Sequence, residues 1–198
     1  MRRRRGRRHA RCYPRPVRRR ALALLIAVGM MVSACSGGTP VSGPVTVKAP
    51  KPAGTLPSLI SVKICSKEAQ REMTLALGES AEVTTPKWVD HRYSCTYGYP
   101  TSTPPGSFEV SVKELSNWTD TYSYYDALAS RLGKSRDLAA LGQAAFQSTD
   151  GSVVVRKDWK LLLVDNTGLP PQFGVPPTSS ASVAVTVADV ILGCWAGD

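Results

Sequence analysis

Residues 144–164 read AAFQSTDGSVVVRKDWKLLLV and decide the fold class. Asp150-Gly151 stands between the apolar runs Ala144–Gln147 and Val153–Val155, and an Asp-Gly pair in such a position is a strong signal for a tight hairpin. Another apolar run, Lys160–Val164, follows on the C-terminal side. The stretch therefore predicts three successive strands of an antiparallel sheet.

Two more strands are predicted upstream of this stretch. Phe108–Lys113 alternates strictly between apolar and polar residues, and this period of two predicts a strand with one face toward the core and the other toward solvent. Arg92–Tyr97 also has the composition of a strand. Downstream, Leu169–Ser180 contains four prolines and predicts a loop or an excursion at the sheet edge.

Three helices are predicted around these strands, each with an apolar stripe at helical spacing. The first begins after the N-cap Ser66 and ends at Gly78, the second spans 121–132, and the last spans 181–194. Their stripes are formed by Ala69, Met73, Ala76 and Leu77, by Tyr125, Leu128, Ala129 and Leu132, and by Val183, Val187, Val190 and Ile191. The predicted fold class is α+β: an antiparallel sheet with two or three helices packed on it, in the order α-β-β-α-β-β-β-α.

The N-terminus has the features of an export signal. Arg18-Arg19-Arg20 precedes the apolar run Ala21–Val32, which is too short to cross a bilayer because a spanning helix needs about 20 residues. The run ends in Val32, Ser33, Ala34 and Cys35, a motif that resembles the cleavage site of bacterial lipoproteins. This resemblance implies a signal peptide over 1–34, cleavage after Ala34, and a diacylglycerol thioether on Cys35.

The expected organisation has three parts. These are the lipoprotein signal peptide (1–34), the lipidated cysteine with a flexible Gly/Pro/Ser/Thr tether (35–58), and a single extracytoplasmic α+β domain (59–198). Two acyl chains are enough for stable anchoring, so we expect a monomer at the cell membrane, facing its extracytoplasmic side. General and twin-arginine export are both open, and translation from near Val17 leaves the same signal.

The basic composition does not predict a nucleic-acid partner. Of the 25 Lys and Arg residues, 11 lie in residues 1–34, where there is no acidic residue. From Cys35 onward the chain carries 14 basic and 15 acidic residues. A basic footprint for DNA or RNA is therefore not expected on the predicted domain. The predicted partner is the membrane, through acylated Cys35.

Three cysteines remain for the predicted domain, Cys65, Cys95 and Cys194, and the compartment is oxidising. We favour a Cys65–Cys95 disulfide, which joins the start of the first helix to a neighbouring strand. Cys194 is then a free thiol buried beside Trp195, or it forms a mixed disulfide with a partner. There is no C-x-x-C pair, and His91 is the only histidine after the signal, so no metal site and no cofactor are predicted.

A set of motifs resembles one group of bacterial lipoproteins. The lipoprotein motif and tether are followed by Cys65-Ser66 at a helix start, by Cys95-Thr96-Tyr97, and by Leu141–Phe146 before a hairpin. In this order they resemble the actinobacterial lipoproteins grouped as domain of unknown function 3558, over about residues 60–194. The resemblance implies that Cys65 and Cys95 pair, and it implies no enzymatic activity. Cys194 and the proline-rich 169–180 stretch depart from the family pattern.

The sequence offers no recognisable catalytic motif. It contains no G-x-S-x-G, no P-loop and no dinucleotide-binding glycine pattern. His91 lies in a charged turn between Asp90 and Arg92 and is interpreted as a surface histidine. Asp90, Glu109 and Glu114 are candidates for paired carboxylates, but nothing in the sequence brings any two together. We predict no catalytic residue and no enzymatic activity.

Two groups of side chains are candidates for ligand contacts. Trp118, Tyr122, Tyr124 and Tyr125 cluster near the start of the second helix. Aromatic residues of this kind can line a sugar or lipid cleft, but their spacing is more typical of core packing. Arg156–Lys160 is interpreted as a solvated hairpin edge, with binding of an anionic envelope polymer as the alternative.

These features predict a lipid-anchored, non-enzymatic binding or carrier module for a small apolar or envelope-derived ligand, held in a cleft between sheet and helices. The first alternative is a protein-interaction accessory module of an envelope complex. The second, least favoured, is an envelope hydrolase. An apolar pocket with convergent polar groups favours the carrier, whereas a filled core with a flat exposed apolar patch favours the interaction module.

Overall fold

The computed structural model describes residues 49–195. The predicted signal peptide, the Val32–Cys35 motif with the lipidation predicted at Cys35, and the first part of the predicted tether lie outside the described residues. Within the described range no helix is long and apolar enough to cross a membrane.

The fold is α+β, as predicted, with four helices and ten strands between residues 49 and 195. The helices are α1 (Leu59–Lys63), α2 (Lys67–Leu77), α3 (Trp118–Leu132) and α4 (Ser180–Cys194). The strands are β1 (Glu82–Val83), β2 (Lys87–Val89), β3 (Arg92–Tyr99), β4 (Gly106–Glu114), β5 (Lys134–Asp137), β6 (Ala144–Ser148), β7 (Val153–Lys157), β8 (Lys160–Asp165), β9 (Gln172–Phe173) and β10 (Thr178–Ser179).

Eight of these strands form one antiparallel sheet in the order β1-β3-β4-β8-β7-β6-β5, with β2 also pairing with β3. The stretch that decides the fold class forms β6, β7 and β8, as predicted, and Asp150-Gly151 makes the first turn. β3 and β4 pair along their length, from Arg92 opposite Lys113 to Tyr99 opposite Gly106. The β4–β8 pair joins these two groups of strands.

The face of the sheet under α2 and α4 carries the larger core. α2 begins and ends as predicted, since the Ser66 hydroxyl accepts a hydrogen bond from the Ala69 N–H and Gly78 closes the helix in the left-handed conformation (φ 68°). α4 is apolar along most of its length. The space between these helices and the sheet is filled by buried side chains, which include Val110, Val112, Val155, Leu162, Val183, Val187 and Ile191.

The other face of the sheet is covered by α3, and this differs from the prediction of a solvated face on β4. Asn117 caps α3 by accepting a hydrogen bond from the Asp120 N–H at 2.8 Å, so the helix begins at Trp118, earlier than the predicted start at 121. A second core beneath the helix is formed by Leu128, Phe146, Val154 and Leu161. Ser111, on the polar side of β4, is consequently buried. Alternation detects the pleat of a strand but cannot detect a helix that later packs on its polar side.

The favoured disulfide between Cys65 and Cys95 is present, with a Cα–Cα distance of 6.0 Å. It ties the residue before the N-cap of α2 to the middle of β3. The Tyr97 hydroxyl donates a 2.6 Å hydrogen bond to the Ile64 carbonyl beside it. Cys194 is a free, half-buried thiol, and the neighbouring Trp195 is buried.

Candidate binding cavity at the N-terminal segment

A cavity of about 440 Å³ lies between residues 49–60, the end of β4 and the β7–β8 turn. Its apolar lining includes Pro50, Pro52, Leu56, Leu59 and Ile60. This volume falls within the range of natural small-molecule pockets, roughly 300–1,000 Å³. The cavity is therefore large enough for a small ligand, and it lies away from the sheet–helix interface where a cleft was expected.

The wall formed by residues 53–58 is held by hydrogen bonds to distant parts of the chain. The Ala53 N–H donates to the Leu115 carbonyl at 3.1 Å. The Trp88 indole N–H donates to the Thr55 carbonyl at 2.9 Å, and His91 Nδ1 lies 3.0 Å from the Gly54 carbonyl oxygen. The composition of these residues predicted a flexible tether. In the structure they are instead hydrogen-bonded to the domain. Their backbone groups bond to the ends of strands and to side chains, and the residues form no helix or strand of their own. No hydrophobic period in the sequence therefore indicates that they are ordered.

Glu114 is the buried acidic group of the site. It ends β4 and is only 4% exposed. One of its oxygens, Oε1, accepts hydrogen bonds from the Ser58 N–H at 2.8 Å and from the Ser61 hydroxyl at 2.5 Å. Ser58 is also the N-cap of α1. Because a buried carboxylate needs such donors, Glu114 fixes the first turn of α1 against the end of the sheet.

Three further charged side chains border the cavity, Lys51, Asp158 and Lys160. Lys160 stands opposite Glu114 in the β4–β8 ladder. Asp158 occupies the β7–β8 turn with a left-handed backbone (φ 54°), and its N–H donates to Gln143 Oε1 at 2.8 Å. Two cations and two carboxylates thus converge on a partly apolar cavity, an arrangement suited to a ligand with a polar and an apolar end.

The sequence-derived candidate carboxylates have separate partners. Asp90 forms a 2.8 Å ion pair with Lys113, and this hydrogen bond and charge lower the pKa of Asp90 below its usual value. Glu109 lies 3.9 Å from Arg92, while Glu114 is bonded to the two serines. His91 is exposed, as interpreted, with its ring edge-on to Trp88 at 5.8 Å between centroids.

A metal site in a protein needs several His, Cys, Asp or Glu side chains placed close together. Across residues 49–195 no set of three or more is placed to hold a metal ion.

The aromatic residues of α3 divide between core and surface. Tyr124 and Tyr125 pack on the second core. Trp118 and Tyr122 are exposed and stack at 5.8 Å between centroids, and the Trp118 ring lies edge-on to Trp159. The Arg156 guanidinium sits 4.3 Å from the centroid of Tyr122.

The β7–β8 hairpin lies inside the sheet instead of at its edge, which corrects the prediction for 156–160. Strands β4 and β6 flank the hairpin on its two sides. All five residues of the stretch are half-buried. A two-strand pattern in sequence shows that a hairpin forms but not which strands will pair on either side of it.

No match to this chain was found among the models of known protein families, the curated proteins or the solved structures. The resemblance to the lipoproteins of domain of unknown function 3558 therefore stays an expectation.

Proposed function

We propose that this chain is a lipid-anchored, extracytoplasmic binding module of the cell envelope, non-enzymatic, whose cavity takes a small amphipathic ligand. The observation that carries this proposal is the cavity of about 440 Å³, where apolar side chains meet Lys51, Lys160 and two carboxylates. The sheet–helix interface is not proposed as the ligand site because buried side chains fill it. We therefore propose that the ligand binds in the cavity at the N-terminal segment.

The anchoring part of the proposal rests on the Val32–Cys35 motif after an apolar run. The resemblance to actinobacterial lipoproteins supports the same location. We expect Cys35→Ser to move the protein from the membrane fraction to the soluble fraction, because the diacylglycerol has no other thiol at the cleavage site. Ser36→Ala is the matched control and should leave the protein in the membrane. Retention of the Cys35→Ser protein in the membrane contradicts the anchoring.

The binding part is tested by native mass spectrometry of the mature chain, exported from its host and purified gently. We expect an adduct that disappears on denaturation. Lys160→Ala removes a cation that borders the cavity and should reduce the adduct, whereas Lys87→Ala, an exposed lysine on β2, should leave it unchanged. A clean mass without adduct at every stage of purification contradicts a ligand carrier.

A second candidate function, an interaction module of an envelope complex, is favoured by the exposed pair Trp118 and Tyr122 beside Arg156. Trp, Tyr and Arg are the side chains that most often dominate protein interfaces. Crosslinking in cells should then capture one specific protein, and Trp118→Ala with Tyr122→Ala should abolish the capture. The same double variant should leave the adduct of the carrier proposal unchanged, so the two functions are separable.

A further inference from the structure

Three aliphatic side chains at the N-terminal end of the domain are exposed to water. Leu56 is 76% exposed, Leu59 is 81% exposed and Val62 is 39% exposed. Leu59 and Val62 lie three residues apart and share one face of α1, while Ile60 and Ser61 on the opposite face are buried. Because that opposite face is occupied by the bond from Ser61 to Glu114, α1 cannot rotate to hide the leucine.

The charge of the chain changes sign beyond this segment. Between Ser36 and Lys67 there are four lysines and no acidic residue. After Lys67 the chain carries 10 basic and 15 acidic residues. Two of the lysines, Lys51 and Lys63, are exposed close to the three aliphatic side chains in sequence. Apolar side chains bind a bilayer by burying their surface in it, and neighbouring lysines are attracted to its anionic head groups. The two together are the combination that binds an anionic bilayer surface.

We propose that Leu56, Leu59 and Val62 form a membrane-docking ridge that inserts into the head-group region of an anionic bilayer. This inference rests on the proposed anchoring at Cys35. The chain from Cys35 to Ala49 can reach at most about 50 Å, because an extended residue spans no more than 3.6 Å. The anchor therefore holds the ridge near the bilayer at high effective concentration, so even a weak contact is populated.

Docking of the ridge also brings the cavity to the lipid surface. Leu56 and Leu59 both line the cavity and are largely exposed to solvent, so they lie at its rim. A lipid with an anionic head group can then enter from the bilayer with its acyl chain toward the prolines and leucines and its head group toward Lys51 and Lys160. The amphipathic ligand of the proposed function is thus assigned to the class of bilayer lipids.

The test separates docking from natural lipidation. The mature chain, starting at Cys35 and carrying Cys194→Ala, is coupled through the Cys35 thiol to a maleimide lipid in vesicles. The vesicles contain either phosphatidylcholine alone or equal parts of phosphatidylcholine and phosphatidylglycerol. Backbone hydrogen exchange is then compared between the two compositions. Because the coupling is chemical, the outcome does not depend on whether the cell acylates Cys35, which the fractionation of Cys35→Ser decides.

We expect exchange at residues 56–63 to slow by about tenfold on the anionic vesicles, the factor that burial of one large aliphatic side chain can supply. The double variant Leu56→Ser, Leu59→Ser should lose this protection. Leu75→Ser is the matched control, because Leu75 is 71% exposed and lies near the C-terminal end of α2, away from α1. This variant should retain the protection at residues 56–63. Equal exchange at 56–63 on both vesicle types, or protection that survives the double variant, overturns the proposal. Unchanged exchange in β3 and β4 verifies that every variant is folded.

Discussion

The interior beneath α4 and the cavity beneath residues 49–60 are held together by different interactions. In the first region Val187, Ala188 and Ile191 are fully buried against the sheet, and contacts between apolar side chains supply the stability. In the second, single hydrogen bonds hold a segment without regular structure, and a buried carboxylate, Glu114, is its main attachment. Because the two regions are held by different interactions, we expect stability and binding to respond to different substitutions.

The largest expected effect on stability comes from removing the Cys65–Cys95 disulfide, which lies next to both regions. Cys65 directly follows α1 and its turn, and Cys95 lies in the core. Closing a loop with 30 residues of sequence separation stabilises a protein by about 3.6 kcal/mol in the chain-entropy description. We therefore expect Cys65→Ala with Cys95→Ala to lower the free energy of unfolding by about this amount, measured by urea denaturation.

Cys194→Ala is the control for the disulfide and should cost only about 1 kcal/mol, as a half-buried side chain does. An equal large loss for Cys194→Ala and for Cys65→Ala would show that the bond in solution uses Cys194.

The next largest effect is expected in the interior under the helices. Leu162 lies in the middle of β8 and is fully buried, so Leu162→Ala should lower the free energy of unfolding by about 3 kcal/mol through lost burial and a cavity. Leu75→Ala, at an exposed position, should stay within about 0.5 kcal/mol of the wild type. Ligand binding by the folded Leu162→Ala protein should be retained. A loss of binding with unchanged stability would contradict the separation of the two regions.

A smaller effect on stability is expected at the cavity. Glu114→Gln keeps the shape of the side chain but removes the charge that two donors share, and we expect a loss of about 1–2 kcal/mol in the free energy of unfolding. Its main effect should be local, as faster proteolysis and hydrogen exchange at residues 49–60. Glu109→Gln, at a half-exposed ion pair, should change neither measurement. Uniformly faster exchange throughout the sheet would mean that Glu114 supports the whole fold and not this segment.

The smallest effect concerns the reactivity of Cys194. Burial raises the pKa of this thiol above its usual value of 9.0, the nearby Glu68 and Glu72 raise it further, and Lys63 offsets part of this rise. At pH 8 the reactive thiolate is therefore scarcer than in an ordinary cysteine. We expect the rate of alkylation by iodoacetamide to increase with pH through a midpoint above 9, as followed by mass spectrometry, with no labelling of Cys194→Ala. A midpoint below 9 would mean that the charge of the nearby Lys63 outweighs burial and the two glutamates.

The sequence by itself determined the elements whose signals are local. Ser66 and Gly78 delimit α2, and the Asp150-Gly151 pair makes a hairpin turn, as predicted. Such signals are readable because a cap or a tight turn depends on residues only a few positions apart. Hydrophobic period predicted the longer strands and helices, and these were enough to assign the α+β class.

Only the tertiary structure decided where these elements meet. The pairing of β4 with β8 and the bond of Glu114 to Ser58 and Ser61 join residues about 50 positions apart in sequence or more. The covering of the polar face of β4 by α3 joins elements that are close in sequence, but it depends on how the helix packs on the folded sheet. Short elements such as β5 and α1 have no period long enough to detect. The cavity depends on these long-range contacts, since its walls are backbone segments held by hydrogen bonds to distant residues. A binding site made in this way leaves no periodic pattern in the sequence, because its geometry exists only after the chain has folded.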